Sequence, residues 1–346
     1  CDKNLVDSEH MLGMLCDNGY TITDDELEAE VIVVNTCCFI HDAKEESIEN
    51  ILEMAKLKKE GNLKALIVAG CLAQRYKESI QEEIPEVDAV IGTTAYDEIV
   101  KVVNEIVQKT DNGLGNNVFK DISYLTKNKA KRVVTTGGYT SYLKIAEGCN
   151  KNCTYCIIPK LRGKYRSVPM EELLEEAKYL ADKGVKELIL VAQETTLYGV
   201  DIYGEKKLPE LLKKLCEIDG FEWIRILYTY PEEITDELIQ VIKEEDKICK
   251  YIDMPIQHAS DNILKRMGRR TNNADLVKII NKLRNEIEDI VIRTTLITGF
   301  PGETEEDFEE TLDVVNKCKY DGAYTFIYSP RENTPAAKMD DNVTLE

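Results

Sequence analysis

The sequence predicts an α/β protein in which a doubly wound parallel-sheet domain is followed by an open, partial (β/α) barrel. Two observations predict this class: short apolar runs alternate with stretches of helical periodicity, and the runs themselves are near-continuous rather than interrupted by polar residues. Continuous apolar strands separated by helices are typical of parallel sheets that are covered on both faces. A chain of 346 residues is long enough for two such domains.

The domain organisation follows from where this rhythm stops and resumes. We divide the chain into an amino-terminal domain over 1–108, a linker over 109–138 and the partial barrel over 139–346. The linker is rich in glycine and asparagine, which favour turns. It also holds a basic run over 127–132, which we expect to be solvated, although such a run can also contact a partner.

Three strand–helix repeats are predicted in the amino-terminal domain. A first helix over 5–16 precedes them and ends before Asn18-Gly19. Each later strand is apolar and rich in β-branched residues, and each is followed by a helical pattern. The predicted strands cover 31–36, 63–69 and 88–91, and the predicted helices cover 42–59, 72–83 and 96–108.

Six further repeats run from 139 to about 328 and form the partial barrel. One helix starts with Pro169 and ends before Gly184, as expected for the first helical position and the position after the end. Another begins at Thr304 with Asp307 three residues later, which is a capping box. Active sites of (β/α) barrels lie at the carboxyl ends of the strands. The predicted strands are 142–146, 187–192, 223–227, 251–254, 290–297 and 323–328, and the other helices are 209–216, 232–243, 262–267 and 274–285.

The composition limits the partners and the compartment. There are 64 acidic against 44 basic residues, a formal net charge of -20, which disfavours nonspecific binding of nucleic acid and suits a basic protein partner. The sequence shows neither a secretory signal nor an apolar run long enough to cross a membrane, so we expect a cytoplasmic protein without a membrane partner. In that compartment the 11 cysteines are expected to bind metal rather than to form disulfides.

Three cysteines, Cys149, Cys153 and Cys156, lie at a C-x3-C-x2-C spacing directly after the first predicted barrel strand. A closed zinc or iron site needs four ligands, and no fourth cysteine or histidine is near in the sequence. The spacing therefore favours a [4Fe–4S] cluster that is held by three thiolates and leaves one iron open. The alternatives are three structural thiols or a zinc site completed by a distant ligand.

A second set of three cysteines is predicted at strand ends. Cys37 directly follows the strand over 31–36, and Cys71 follows the strand over 63–69 after one glycine. Cys1 precedes the first helix, where it would follow a strand that the sequence does not contain. Ligands of open α/β sheets gather at the carboxyl ends of strands, so we expect these thiols to converge on a second cluster. Buried core cysteines are the alternative. Five other cysteines are left out of both sites: Cys38 should point away from Cys37, and Cys16, Cys216, Cys249 and Cys318 are expected to pack in or beside helices and strands.

This combination resembles the methylthiotransferases of the radical S-adenosylmethionine (SAM) superfamily over nearly the whole chain. The resemblance implies two [4Fe–4S] clusters, two SAM molecules per reaction and the replacement of a C–H bond by C–S–CH3. One cluster binds SAM and supplies the electron for its cleavage to a 5′-deoxyadenosyl radical, and an auxiliary cluster carries the sulfur. The resemblance assigns the catalytic and metal-binding roles to Cys149, Cys153 and Cys156 for the SAM cluster and to Cys1, Cys37 and Cys71 for the auxiliary cluster.

Two branches of this family compete for the chain. One modifies the β-carbon of an aspartate in a basic small-subunit ribosomal protein, and the other modifies isopentenyladenosine in tRNA. The segments that resemble the ribosomal branch are 1–9, 35–40, 43–48, 193–199, 227–231 and 253–258. Two features depart from that branch: Cys38 stands where glycine is usual, and 328–335 looks more like the tRNA branch. The family's carboxyl-terminal TRAM module, used for substrate binding, is expected to be absent, because the sequence ends at Glu346.

The resemblance also implies residues around SAM. Tyr155 lies between two cluster ligands, where the superfamily has an aromatic residue near the adenine. Gln193 and Glu194 end the second barrel strand and are expected to meet the amino group or the ribose. Arg293, in a late strand, is expected to pair with the carboxylate, since arginine binds carboxylates bidentately. For each of these four residues the alternative is a surface or salt-bridge role. His258 is expected near the mouth of the barrel.

Other partners and other classes of function follow from the same features. An electron donor and a sulfur source are expected partners, and tRNA is one only under the second branch. A non-catalytic iron–sulfur electron carrier and a zinc-binding interaction module are the alternatives from other classes. Two basic groups are expected to be solvated faces, one of alternating residues and one on a short helix: Lys160, Arg162, Lys164 and Arg166, and Lys265, Arg266, Arg269 and Arg270.

Overall fold

A computed structural model gives the fold of most of the chain. It describes residues 1–108, 116–126, 131–340 and 343. The linker predicted over 109–138 and its basic run over 127–132 lie partly outside the described residues, and the linker stays a prediction. Within the run Arg132 is described, and the solvated role expected for it is wrong: its exposed fraction is 1%, and its Nε atom pairs with the Glu9 carboxylate at 3.0 Å. Within the described ranges, no helix combines the length and the apolar character needed to cross a membrane.

The chain divides into two units. The first comprises Cys1–Thr135 with Lys160–Lys164, and the second comprises Thr136–Pro159 with Tyr165–Glu346. A short segment that follows the C-x3-C-x2-C loop in sequence is therefore part of the first unit.

The first unit alternates helices with strands. Its elements are α1 (Asp2–Asp17), β1 (Val31–Thr36), α2 (His41–Glu60), β2 (Ala65–Gly70), α3 (Cys71–Tyr76), α4 (Ser79–Glu83), β3 (Ala89–Ile91), a 3₁₀ turn (Tyr96–Glu98) and α5 (Ile99–Val107). The strands form a parallel sheet in the order β1-β2-β3, as predicted. β1 pairs with β2 in a register that ends with Thr36 beside Gly70.

The core of the first unit lies on both faces of this sheet. β2 is buried along its whole length. Ile67 and Ile91 pack in one cluster with Met11 of α1 and with Ile99 and Val102 of α5. Burying a side chain of this size stabilises a fold by roughly 1.5–3 kcal/mol. The continuous apolar pattern of β2 thus reflects burial from both sides.

One predicted helix is broken in the structure. The helix expected over 72–83 is two helices, because α3 ends at Tyr76 and α4 begins at Ser79. Lys77 between them has a φ of 48°. A left-handed residue ends an α-helix, and nothing in the helical periodicity marks Lys77 as such a residue.

The second unit has the strand–helix rhythm of the predicted barrel. Its elements are β4 (Thr140–Lys144), β5 (Ala146–Glu147), α6 (Ile158–Arg162, whose end belongs to the first unit), β6 (Arg166–Ser167), α7 (Met170–Asp182), β7 (Glu187–Val191), α8 (Val200–Tyr203), α9 (Leu208–Cys216), β8 (Trp223–Ile226), a 3₁₀ turn (Pro231–Glu233), α10 (Asp236–Glu244), β9 (Tyr251–Asp253), α11 (Asp261–Arg266), α12 (Asn273–Glu286), β10 (Val291–Thr298), α13 (Glu305–Cys318), β11 (Gly322–Ile327) and a 3₁₀ turn (Ala336–Lys338).

Six parallel strands of this unit follow one another in sequence order. They form the sheets β4-β7-β8 and β9-β10-β11, with β10 central in the second. A parallel bridge between Ile224 of β8 and Ile248 just before β9 links the two sheets. The predicted fold class, a doubly wound domain followed by an open partial barrel, is confirmed.

Local sequence signals for helix ends are also confirmed in this unit. The Thr304 hydroxyl accepts a hydrogen bond from the Asp307 amide at 3.3 Å, and the Asp307 carboxylate accepts one from the Thr304 amide at 3.0 Å. This reciprocal pair is the predicted capping box at the start of α13.

The antiparallel pair β5–β6, the helices α6 and α8 and the 3₁₀ turn over Ala336–Lys338 were not predicted. The alternating basic edge expected from Lys160 onward is wrong at its first two members, because Lys160 and Arg162 lie on α6. The solvated role is also wrong for Arg162, whose exposed fraction is 1%.

Gly70 is the position of the first unit where a larger residue should cost most. Its φ is 91°, and a Cβ atom there would lie 2.3 Å from the Asn35 Oδ1 atom and 2.6 Å from the Thr36 carbonyl oxygen. We expect Gly70→Ala to lower the free energy of unfolding of this unit by about 3 kcal/mol, from left-handed strain and overpacking together. Urea unfolding and amide hydrogen exchange in β1 and β2 would measure the loss.

Gly19→Ala is the matched control for this prediction. Gly19 has a φ of 87°, and a Cβ atom there would have nothing within 4 Å. It should therefore show only the left-handed strain of about 1 kcal/mol. Equal losses for the two substitutions would contradict the proposed clash at the end of β2.

Candidate metal centres and SAM site

Two of the three proposed ligands of the first unit, Cys37 and Cys71, lie at the strand ends predicted for them. Cys37 follows the last residue of β1, and Cys71 is the first residue of α3, directly after β2. Since Thr36 pairs with Gly70, the two thiols leave neighbouring strands at the same edge of the sheet. Cys1 is the N-cap of α1.

Hydrogen bonds tie the start of α1 to the end of β1. The Asn4 side-chain amide donates to the Thr36 carbonyl oxygen at 2.8 Å, and the Asn35 side-chain amide donates to the Asn4 carbonyl oxygen at 2.8 Å. Asn4 lies in the first turn of the helix that Cys1 caps. The geometry therefore brings the backbone near Cys1 to the edge from which Cys37 departs.

Cys38 is buried beside this set rather than in a separate core. The pKa of the Cys38 thiol is raised to about 12, chiefly by burial and then by Cys71 and Cys37, against the lowering effect of Arg75. A thiol with so high a pKa stays protonated when no metal binds it.

Arg162 completes the surroundings of Cys71. Its Nε atom donates to the Cys71 sulfur at 3.4 Å, and its Nη1 atom donates to the Asp7 carboxylate at 3.0 Å. Its Nη2 atom donates to the Asn4 side-chain oxygen. The neighbouring Leu161 carbonyl oxygen accepts a hydrogen bond from the Thr93 hydroxyl at 2.8 Å. These contacts lie within the first unit and were not foreseen, because an arginine in a basic run is usually solvated.

The cysteines of the second unit lie in the loop after β5. Cys149 and Cys153 are buried, and Cys156 is partly buried. The pKa of Cys149 is raised to about 11 and that of Cys156 to about 12, chiefly by burial and in part by the charge of Cys153. These thiols would ionise only if a metal stabilised the thiolate. Their role as ligands stays a prediction.

Lys151 anchors this loop from inside. Its side chain is buried, and its ammonium group pairs with Glu233, with Glu232 at 3.4 Å and with Glu194 at 3.6 Å. The ammonium also lies 4.9 Å from the centre of the Tyr230 ring. A buried cation needs such partners, and their loss would release the loop.

Backbone hydrogen bonds hold the loop from outside. The Thr154 amide donates to the Met267 carbonyl oxygen at 2.8 Å, and the Ala336 amide donates to the Thr154 carbonyl oxygen at 2.9 Å. Arg331 donates to the Tyr155 carbonyl oxygen at 2.8 Å. The cluster loop is therefore fixed by groups that are distant in sequence.

Gln193 and Glu194 lie next to this loop. Gln193 accepts from the Gly148 amide at 2.8 Å and donates to the Glu147 carboxylate at 2.8 Å. Glu194 is fully buried, and burial raises its pKa to about 7, against the lowering effect of Lys151. Gln193 thus positions the loop, and Glu194 is an ionisable group beside it. Their contact with SAM stays a prediction.

The two other residues expected at SAM differ in their surroundings. Tyr155 is buried with Cys153 in one cluster, with its ring edge-on to Phe300 at 6.4 Å. Arg293 donates from Nε to the Asp253 carboxylate at 3.0 Å and lies 5.0 Å from the centre of the Tyr324 ring. Tyr155 is thus brought to the cysteines, whereas the contacts of Arg293 match the salt-bridge alternative.

His258 and Arg269 also differ from expectation. His258 is buried, and its ring contacts the Glu303 carboxylate at 3.2 Å and the Thr311 hydroxyl at 3.1 Å, a structural network around α13. Arg269, expected to be solvated, is 7% exposed, so that expectation is wrong.

The Arg269 guanidinium lies 4.4 Å from the centre of the Tyr230 ring, and its Nη2 atom donates to the Pro255 carbonyl oxygen at 2.9 Å. Its Nε and Nη1 atoms have no hydrogen-bond partner among the described residues. Its pKa is raised by Tyr155, Tyr230 and Cys153, although burial opposes this. Sequence alone does not separate Arg269 from the three basic residues around it, since only the fold buries it.

Neither cysteine set forms a compact site for a single metal ion. Among the described residues, the three potential ligands whose atoms all lie within 4.8 Å of one another are the exposed His41, Asp42 and Glu45. A tetrahedral zinc ion brings its sulfur ligands to about 4 Å from one another. Binding of a cluster by either cysteine set stays a prediction.

Family models match both parts of the chain. The model of the radical SAM superfamily matches residues 143–315, and that of the uncharacterized protein family UPF0004 matches residues 1–92. A solved structure of TsrM from Kitasatospora setae, a radical SAM methyltransferase with tryptophan substrate and a SAM analogue bound, covers 97% of this chain and 72% of its own. It has a TM-score of 0.68 at 14% identity, which shows a shared fold.

Curated relatives are far more similar. The ribosomal protein uS12 methylthiotransferase RimO of Lachnoclostridium phytofermentans is 67% identical over 344 residues, which are 99% of this chain and 77% of the relative. The enzymes of the same name from Clostridioides difficile and Acetivibrio thermocellus are 53% and 56% identical, over 77% and 75% of their own lengths and 100% and 97% of this chain. The chain therefore belongs to the ribosomal protein uS12 methylthiotransferase (RimO) family of radical SAM enzymes.

Proposed function

We propose that this chain inserts a methylthio group at the β-carbon of an aspartate in ribosomal protein uS12. The observation that carries the proposal is the pair of three-cysteine sets, one at the strand ends of the first unit and one in the buried loop of the second. Relatives up to 67% identical over nearly the whole chain are named ribosomal protein uS12 methylthiotransferases. The chain is accordingly a radical SAM methylthiotransferase, with SAM and [4Fe–4S] clusters as its cofactors.

The two sets divide the chemistry between them. When bound, the cofactors supply the electron and the SAM-derived radical that open an unreactive C–H bond, together with the sulfur and the methyl group that replace hydrogen. Cys149, Cys153 and Cys156 would hold the cluster that binds SAM, in a loop fixed by Lys151 and Gln193. Cys1, Cys37 and Cys71 would hold the auxiliary cluster.

Arg269 is the residue we assign to the carboxylate of SAM. Its guanidinium is buried beside Cys153 and Tyr155, and two of its donors find no partner among the described residues. Unpaired donors of a buried cation are costly and are normally satisfied by a ligand or by water. Arg293 is the alternative, but its Nε donor is already committed to Asp253.

The reaction needs two further partners. SAM supplies only the methyl group and the radical, so each product requires a sulfur source. Reductive cleavage of SAM consumes an electron, so an electron donor must also act. A ribosomal protein as substrate implies that these partners meet the enzyme in the cytoplasm.

Charge supports a protein substrate over tRNA. RNA-binding enzymes obtain much of their affinity from contacts of basic groups with phosphates. This chain has an excess of 20 acidic charges, which would attract a basic ribosomal protein and repel an RNA backbone.

The segment that resembles the tRNA branch has another role in this structure. Arg331 and Ala336, within and just after 328–335, hydrogen-bond to the backbone of the cluster loop at Tyr155 and Thr154. Support of that loop is a requirement shared by both branches, because both use the same C-x3-C-x2-C cluster. The likeness therefore carries little weight in the choice of substrate.

Replacement of single cysteines should separate the two clusters. Cys149→Ala, Cys153→Ala or Cys156→Ala should abolish SAM cleavage and leave roughly half of the iron, because three thiolates hold each cluster. Cys37→Ala or Cys71→Ala should also halve the iron but spare SAM cleavage and stop sulfur insertion. Iron and sulfide counts after anaerobic reconstitution, with assay of 5′-deoxyadenosine, measure both effects.

The control is Cys16→Ala, since Cys16 is an exposed residue of α1 that we place in neither set. It should retain both clusters and both activities. Loss of all iron from any single replacement would contradict two separate sites. Zinc in place of iron in anaerobically purified protein would favour a zinc-binding module instead.

Arg269→Gln should weaken SAM binding at least about tenfold, because a charge-assisted hydrogen bond contributes roughly 1.5–3 kcal/mol. Equilibrium dialysis of the reconstituted protein with SAM and the EPR spectrum of the reduced cluster would measure the change. Arg293→Gln is the matched comparison and should have a smaller effect. A larger loss of SAM affinity in Arg293→Gln than in Arg269→Gln would instead assign the binding of the SAM carboxylate to Arg293.

The substrate should be identified by direct competition. Full-length enzyme is offered uS12 and a tRNA anticodon arm carrying isopentenyladenosine in one reaction, and the products are read by mass spectrometry. We expect methylthiolation of an aspartate in uS12, with a KM that rises with salt because the attraction is electrostatic. A methylthio group on the adenosine and none on the aspartate would assign the chain to the tRNA branch.

A further inference from the structure

The Arg162 side chain is a buried cation that the cysteine pattern does not account for. Its exposed fraction is 1%, and it is among the largest fully buried side chains of the described residues. Burial of a guanidinium is costly unless hydrogen bonds and ion pairs within the protein replace its lost interactions with water. One of its compensating partners, at 3.4 Å, is the sulfur of Cys71, a proposed ligand of the auxiliary cluster.

We propose that Arg162 is a positioning residue of the auxiliary cluster, which orients the Cys71 thiolate and raises the reduction potential of the cluster. The inference rests on the proposed function, since it requires a cluster on Cys1, Cys37 and Cys71. It extends that function by assigning a role to a residue that follows the other cysteine set in sequence.

The contacts of Arg162 reach the backbone around all three ligands. Its guanidinium touches Cys71 at the start of α3, and it touches Asn4 and Asp7 in α1, the helix that Cys1 caps. Asn4 in turn donates to the Thr36 carbonyl oxygen, directly before Cys37. One hydrogen-bond network therefore joins the three ligand positions through a single cation.

The segment that carries Arg162 is itself held in place. The Leu161 carbonyl oxygen accepts from the Thr93 hydroxyl at 2.8 Å, and both residues are buried in the first unit. Arginine presents a rigid fork of donors, which suits simultaneous contact with a sulfur, a carboxylate and an amide oxygen. Lysine could supply the charge but not this fork.

The expected effect on the reduction potential of the auxiliary cluster follows from the charges of Arg162 and Asp7. Reduction adds one negative charge to a cluster, and a nearby cation with an N–H donor to a ligand sulfur stabilises the reduced form more than the oxidised form. Arg162 should therefore raise the potential. The carboxylate of Asp7, paired with Arg162 at 3.0 Å, should lower it.

The test uses the full chain with Cys149, Cys153 and Cys156 all changed to alanine, so that the auxiliary cluster is the one observed. Its midpoint potential is measured by redox titration with EPR. In this background we expect Arg162→Gln to shift the potential downward and Asp7→Asn to shift it upward. Arg162→Lys should recover part of the downward shift, and Lys164→Gln, an exposed change in the same segment, should leave the potential unchanged.

Opposite shifts are the signature of an electrostatic role, because a merely structural role would move both variants alike. An unchanged potential in Arg162→Gln with full iron, or shifts of the same sign in Arg162→Gln and Asp7→Asn, would overturn the proposal. If Arg162→Gln holds no iron, Arg162→Lys decides, because it keeps the charge but loses the Nε donor to the Cys71 sulfur: a small downward shift of the potential supports the role, and no shift or an upward shift refutes it. Absence of iron from the background chain itself would refute the auxiliary cluster, and with it the proposed function.

Discussion

Parallel pairing in register is the constraint on which the proposed auxiliary metal centre depends. It sets Thr36 level with Gly70, so that the residues that follow β1 and β2 leave the sheet at one edge. The C-x3-C-x2-C loop of the second unit needs no such alignment, because its cysteines are close in sequence and follow β5, which pairs antiparallel with β6. Thiols far apart in sequence can meet only because the strand ends are aligned, and glycine at position 70 permits the close approach.

Buried basic side chains beside the proposed cysteine ligands are a second feature that the two units share. Lys151 within the cluster loop, Arg162 beside Cys71 and Arg269 beside Cys153 are all buried near cysteines that are proposed to bind iron. Thiolates concentrate negative charge in a medium of low polarity, and a nearby cation offsets that charge. Lys151 and Arg162 are each tied to a carboxylate as well, so the cation stays fixed in the absence of metal.

Local patterns predicted what depends on local physics. Strands such as β2 could be predicted because burial on both faces requires a continuous apolar run. The Thr304 capping box could be predicted because its two partners lie within four consecutive residues. The cysteine sets were found by spacing and by strand ends. The roles of Arg162 and Arg269 were missed, since their partners lie far away in sequence and no periodicity records a buried charge. The break at Lys77 was missed for a different reason, because helical periodicity does not mark a residue that adopts a positive φ.

The support of the cluster loop by late residues has a consequence for the making of the protein. Tyr155 receives its hydrogen bond from Arg331, 176 residues later in the chain. At a synthesis rate of 5–20 residues per second, the loop waits about 10 to 35 s for that partner. During translation the three thiols therefore lie in an incomplete pocket. We therefore expect this loop to receive its iron only after the chain is complete.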